Sequence, residues 1–143
     1  MSATAGADFT RLAPHRGLAY GDLDNDGRVD LVVTALGAPV SVLRNITETH
    51  NHWILLKLVG SKSNSMGIGA QIRITTDDGR KLYNELTTST GYAASSDPRV
   101  HFGLGDSRVI REIEVRWPSG TRQLLRNVTA DRVMVVTEPG GGN

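Results

Sequence analysis

The densest chemistry in the sequence lies in Gly21-Asp22-Leu23-Asp24-Asn25-Asp26-Gly27-Arg28-Val29-Asp30-Leu31. With Asp22 as position 1, carboxylates fall at positions 1, 3, 5 and 9, and Gly27 at position 6. A tightly curled loop with this spacing aims alternate carboxylates at one hard cation. The glycine permits the sharp turn, and Arg28 at position 7 offers its backbone carbonyl. Four carboxylates in nine residues repel one another unless a cation neutralises them. Oxygen-only ligands favour calcium, whose roughly six to eight flexible contacts suit such a loop better than magnesium's strict octahedron. Asp22, Asp24, Asp26, Arg28 (through its carbonyl) and Asp30 are therefore the candidate ligands of a Ca2+ ion. The helix–loop–helix form of this loop needs a bidentate glutamate at position 12, where this chain has Val33. The flanks Gly17-Leu18-Ala19-Tyr20 and Leu31-Val32-Val33-Thr34-Ala35 are β-rich, so the loop joins two strands.

Strands must position everything else as well, because the dominant period is two. Ala70, Ile72 and Ile74 alternate with Gln71, Arg73 and Thr75; Ile113, Val115 and Trp117 alternate with Glu112, Glu114 and Arg116. Val100, Phe102 and Leu104 alternate with His101 and Gly103. Such alternation gives one buried and one wet face. Further β-rich runs span 16–21, 31–36, 40–45, 53–59, 81–86, 121–126 and 132–137, separated by turns such as Gly37-Ala38-Pro39, Asp77-Asp78-Gly79 and Pro118-Ser119-Gly120. No convincing helix is present. About ten short strands predict an all-β chain, an antiparallel sandwich or barrel-like domain preceded by one calcium-loop hairpin unit. Trp117 belongs to the core, whereas Trp53 starts a strand beside the junction and packs between the two units. Gly67-Ile68-Gly69 and Gly103-Leu104-Gly105 flank strands and mark bends or close backbone approaches.

Composition narrows the functions available. The chain has 143 residues, 16 basic against 15 acidic, a formal charge of +1 and no cysteine. Disulfides, thiolate zinc sites and cysteine nucleophiles are excluded. Thirteen of the sixteen basic residues are arginine, spread among acids. That pattern describes solvated strand faces and predicts no nucleic-acid partner. No apolar run approaches the roughly 18 residues that span a bilayer, so no membrane insertion is expected. The first twenty residues lack a secretory pattern, which leaves a cytoplasmic protein or a piece of a longer exported one.

The strand–acidic loop–strand arrangement, continuing through Thr34-Ala35-Leu36-Gly37 to Val42-Leu43-Arg44-Asn45, resembles an FG-GAP (VCBS-type) repeat. In that family such units are blades of calcium-binding β-propellers, which implies calcium ligation at the five positions named and further blades of the parent protein as partners. The remainder resembles an ASPIC/UnbV domain. The blocks that carry this are Trp53-Ile54-Leu55-Leu56-Lys57-Leu58, Ser63-Asn64-Ser65-Met66-Gly67-Ile68-Gly69-Ala70, Gly91-Tyr92, Ser96-Asp97-Pro98-Arg99-Val100-His101-Phe102-Gly103-Leu104-Gly105 and Val115-Arg116-Trp117-Pro118-Ser119-Gly120. The expected organisation is a calcium-loop unit over 1–49, a β domain over 50–138 and a disordered tail over 139–143. Large exported proteins pair these two modules in this order, so the resemblance implies an extracellular or cell-envelope location. It carries no enzymatic activity, and some relatives are encoded beside enediyne biosynthesis genes.

One more segment stands out, the long polar stretch 87–99. Loops of this length are disproportionately functional. With outward-facing His101 beside it, Tyr92, Asp97 and Arg99 form a candidate recognition surface for a protein or glycan, the aromatic ring stacking and the others hydrogen-bonding. Ser89, Ser95 or Ser96 with Asp97 and His101 supplies the residue types of a nucleophilic triad, but no positioning motif accompanies them. His50 and His52 have the spacing of a metal pair without evident partners. Asn45-Ile46-Thr47 and Asn127-Val128-Thr129 are glycosylation sequons. The leading expectation is a non-catalytic calcium-binding recognition module. The rivals are a carbohydrate-binding module proper and an accessory protein of an enediyne-type pathway.

Overall fold

The computed structural model describes residues 6–10 and 12–140. The expected tail over 139–143 therefore lies outside the described residues from Gly141 onward. Twelve strands follow a short 3-10 turn at Ala7–Thr10: β1 His15–Gly21, β2 Asp30–Ala35, β3 Ala38–Leu43, β4 His52–Val59, β5 Gln71–Thr76, β6 Lys81–Glu85, β7 Ser89–Gly91, β8 Ala94–Ser95, β9 Val100–Gly105, β10 Val109–Arg116, β11 Arg122–Thr129 and β12 Arg132–Thr137. The all-β reading holds, in its sandwich form; no sheet among the described residues closes into a barrel. No helix among them is long and apolar enough to cross a membrane.

The first three strands make an antiparallel meander, with the acidic loop bridging β1 and β2. Residues 44–51 then run without regular structure to the sandwich. One sandwich layer is the antiparallel sheet β11-β10-β5-β6 and the other is β12-β4-β9. Between them lies a core of Ile54, Leu56, Leu58, Ile72, Ile74, Phe102, Leu104, Ile113, Val115 and Trp117, each no more than 5% exposed. The alternating apolar positions of β5, β9 and β10 all point into it, which is what period-two burial requires. Trp117 satisfies its buried indole N–H on Gln123 Oε1 at 3.0 Å.

Two features depart from the local reading. Strand β12 pairs with β4 in parallel, Arg132 opposite Ile54 through Thr137 opposite Val59. Parallel partners need a long crossover, and here the rest of the domain supplies it. The stretch 87–99 also contains the small ladder β7-β8, Ser89 opposite Ser95, which raises the strand count from ten to twelve.

A buried carboxylate ties the far end of the sandwich together. Glu138, 1% exposed, accepts the backbone N–H groups of Ser61, Lys62 and Ser63 on Oε2 at 2.8–2.9 Å. Its Oε1 takes the hydroxyls of Ser63, at 3.0 Å, and of Ser119. Burial alone would raise its pKa, but the Ser119 hydroxyl and the three N–H donors outweigh that and hold it at about 2.

Candidate metal centre

The loop between β1 and β2 begins and ends on buried carboxylates. Asp22 is 1% and Asp30 2% exposed, because Asp22 immediately follows β1 and Asp30 opens β2. Asp22 organises the turn from inside: its Oδ1 accepts Asp26 N at 3.1 Å and its Oδ2 accepts Gly27 N at 2.9 Å. Asp30 closes it, accepting Leu23 N at 3.0 Å and Asn45 N at 2.7 Å. Each carboxylate thus fixes backbone on the opposite side of the loop, and carboxylate oxygens from Asp22, Asp24 and Asp30 come within 4.8 Å of one another. That spacing suits a single hard cation with oxygen ligands. Three negative charges so close are mutually repulsive without one.

Asp26 behaves differently. Its carboxylate pairs with the Arg28 guanidinium and accepts Arg28 N at 2.9 Å, with Arg44 3.6 Å away. Burial pushes its carboxyl up, but the N–H and the charge of Arg28 outweigh this and hold it below the ordinary carboxylate range. Arg44 also pairs with Asp24 at 2.5 Å. The converging set is therefore Asp22, Asp24 and Asp30, with Asp26 drawn aside by arginine.

The loop does not stand free; it is docked on β4, β9 and the segment between β8 and β9. Gly27 (φ +87°) passes directly over the Trp53 ring, where a β-carbon would sit 2.1 Å from Nε1. Only glycine tolerates both the approach and the backbone angle. The imidazole of His101 stacks parallel to Trp53 at 6.4 Å and its Nε2 meets the Gly27 carbonyl at 2.9 Å. Arg99 bridges further, to the Asp22 carbonyl at 2.7 Å and to Asn25 Oδ1 at 2.5 Å. It is held by Asp97 at 2.5–3.0 Å, whose hydrogen bonds raise the guanidinium pKa. Asp97 N donates to Tyr20 O at 3.0 Å and Tyr20 N donates to Ser96 Oγ at 3.1 Å. Residues 96–97 therefore lie along the outer edge of β1 and satisfy it.

Of the four recognition-surface candidates, Asp97, Arg99 and His101 are brought together, and all three engage the acidic unit. Tyr92 is apart from them and 79% exposed. The triad residue types end on separate partners: Ser96 Oγ on Tyr20 N and the Thr90 hydroxyl, Asp97 on Arg99, and His101 Nε2 on Gly27 O. His52 bonds Asp131 at 2.6 Å. Asn25 is the contact that spacing did not single out, since it sits at a position where only its neighbours read as ligands. Leu55 shows the same docking from below. It points away from the core yet is 1% exposed, and with Val29, Tyr20 and Pro98 it lines a cavity of about 240 Å³ at the junction.

Comparison with known proteins adds kinship. Cartilage acidic protein 1 of Homo sapiens is 28% identical over 120 residues, 82% of this chain and 18% of that protein. Its Mus musculus counterpart is 27% identical over 120 residues, with the same shares covered. The Xenopus tropicalis protein is 28% identical over 107 residues, 73% of this chain and 16% of its own. The chain spans less than a fifth of the length of these curated relatives. The family model described as ASPIC and UnbV matches residues 60–143, more than half of the chain and every sandwich strand after β4, and the chain belongs to that family.

Proposed function

We propose that the chain is a non-catalytic, calcium-binding β module of an extracellular or cell-envelope protein, and that it serves protein or glycan recognition. The observation that carries the metal assignment is the convergence of the Asp22, Asp24 and Asp30 carboxylates within 4.8 Å. Asp26 and the Arg28 carbonyl hold the remaining ligand positions by their place in the loop, Asp26 only on release from its pairing with Arg28. Bound calcium supplies the positive charge that offsets the clustered carboxylates. The rest is the chain's own work: Asp22 and Asp30 hold the loop backbone, and Arg99, His101 and Trp53 fasten it to the sandwich. On this reading residues 1–49 are an FG-GAP-like unit, which in the parent protein packs beside further blades. Residues 50–138 are the ASPIC/UnbV-like domain. The recognition surface comprises Tyr92, at the exposed turn between β7 and β8, together with Asp97, Arg99 and His101, which stand apart from it against the acidic loop. Kinship with cartilage acidic protein 1 and the modular resemblance support the proposed location.

Thermal unfolding of the whole chain in EDTA, followed by calcium titration with magnesium as control, tests the assignment. Calcium at about a hundred times its Kd adds about 2.7 kcal/mol, several degrees for a chain this size. A shift equal in magnesium, or none, overturns the calcium reading.

A further inference from the structure

The four-stranded layer has a second face, turned away from the core, on which directly paired residues line up in rows. One row runs Arg122, Arg116, Gln71 and Glu85; the next runs Leu124, Glu114, Arg73 and Tyr83. Directly opposed residues of antiparallel strands share a face, so these side chains project together. Several of them line a shallow groove of about 430 Å³ centred on Arg73 and Tyr83.

Three observations point to a ligand with both an anionic group and a flat apolar face. First, Arg116 and Arg122 stand directly opposite each other, and among the described residues neither has an acidic partner. Like charges so placed destabilise a sheet unless an anion joins them. The nearby acids are already committed: Glu114 and Glu112 pair with Arg73 at 2.6 and 3.2 Å. Second, Arg73 Nε is buried and has no hydrogen-bond partner, an orphaned donor beside the groove. Third, Tyr83 is 69% exposed, and its row neighbour Arg73 and its same-face neighbours along β6, Lys81 and Glu85, are all polar. A large aromatic ring set among hydrogen-bonding groups suits a molecule that is apolar on its face and hydroxylated at its rim.

We propose that this face binds an acidic polysaccharide. One sugar ring stacks on Tyr83, its hydroxyls bond to Gln71 and Glu85, and a carboxylate or sulfate on the same chain lies between Arg116 and Arg122. The surroundings argue against other anions. A nucleic acid needs a run of phosphate contacts, and a chain of net charge +1 with one aromatic on this face offers no such track. An acidic peptide needs an apolar pocket to anchor a side chain, and Tyr83 is ringed by polar groups. The site is separate from the surface that includes Tyr92, and it stands whether or not the acidic loop holds calcium.

The test is binding of the whole chain to immobilised heparin (sulfated), polygalacturonate (carboxylated) and dextran (uncharged), with oligodeoxythymidylate and polyglutamate as competitors. The expected result is saturable, salt-sensitive binding to one or both acidic polysaccharides and none to dextran. Tyr83→Ala and Arg116→Gln each weaken it about tenfold, the loss of one good contact, with no fall in melting temperature. Tyr83→Phe retains binding. Tyr92→Ala leaves it intact, which separates this site from the recognition surface proposed above. The inference is overturned by no binding to either acidic polysaccharide, by equal binding to dextran, or by full affinity in Tyr83→Ala. It is overturned equally if either competitor binds more tightly than the polysaccharides, or if loss occurs in Tyr92→Ala alone.

Discussion

The imidazole of His101 stacks on the indole of Trp53, within 9° of parallel, and binds the carbonyl of Gly27, the residue that crosses the indole's surface. Three residues from three segments thus share one contact, and it fastens the acidic loop to the sandwich. Whatever the loop binds, its shape is set partly by strands that follow it by more than twenty residues.

Gly27→Ala tests how rigid that fastening is. The new methyl group meets the indole at well under contact distance, and the φ of +87° disfavours any side chain. Overpacking and left-handed strain together cost about 2–4 kcal/mol. Urea unfolding followed by Trp53 fluorescence measures it; a loss below about 1 kcal/mol would mean that the loop lifts off the ring without penalty.

Arg99→Gln tests the second fastening. The guanidinium joins Asp97 to Asn25 Oδ1 and the Asp22 carbonyl, and its side chain is only 22% exposed. Losing these charge-assisted bonds and leaving Asp97 with fewer partners costs about 1–3 kcal/mol. The local signature is faster amide hydrogen exchange in residues 22–27, with protection in β5 and β10 unchanged. Equal loosening of β5 and β10 would show that Arg99 supports the whole sandwich and not the loop.

How much of this was legible beforehand depended on how local the cause was. Alternation exposes the inner faces of β5, β9 and β10, because each strand's own pleat decides which residues are wet. The Asp22–Asp30 spacing is visible for the same reason: one loop holds every candidate ligand. The parallel pairing of β4 with β12 left no local trace, since it joins residues nearly eighty positions apart. Leu55 makes β4 read as a continuous apolar run because Tyr20, Val29 and Pro98 crowd its outer side. His101 does face outward from the sandwich core, as alternation implies, but the acidic loop then covers it. Glu138 carried no signal at all. A glutamate before proline at a strand end reads as solvated, and only the fold brings three N–H groups to it.

Asp24→Asn separates metal binding from loop folding. Asp22 and Asp30 each hold backbone N–H groups, so changing either disturbs the loop even without a cation. Among the described residues Asp24 holds no loop N–H; its side chain pairs with the exposed Arg44 and meets the Asp26 carboxyl. Its neutralisation should leave stability in EDTA within about 0.5 kcal/mol of the parent. The calcium-dependent rise in melting temperature should shrink or vanish, since one of three converging charges is gone. An undiminished calcium response would remove Asp24 from the ligand set.

Glu138 gives the chain an acid-sensitive latch whose sign can be worked out. Its native pKa is depressed from 4.5 to about 2, so the unfolded chain binds the proton more readily. Stability then rises with pH through that interval, is fully present above about 4.5, and is lost as the pH falls toward 2. Glu138→Gln removes the charge but keeps the shape. Its amide presents two donors to a site already crowded with the N–H groups of Ser61, Lys62 and Ser63. The variant should therefore unfold at lower urea than the parent at neutral pH, and the gap between them should narrow steadily below about pH 4.5. Hydrogen exchange should place the loosening at residues 61–63 and at Ser119, far from the acidic loop. Parallel pH profiles for the two proteins would mean that the carboxylate's charge contributes nothing to the latch, leaving its shape and packing as the whole effect.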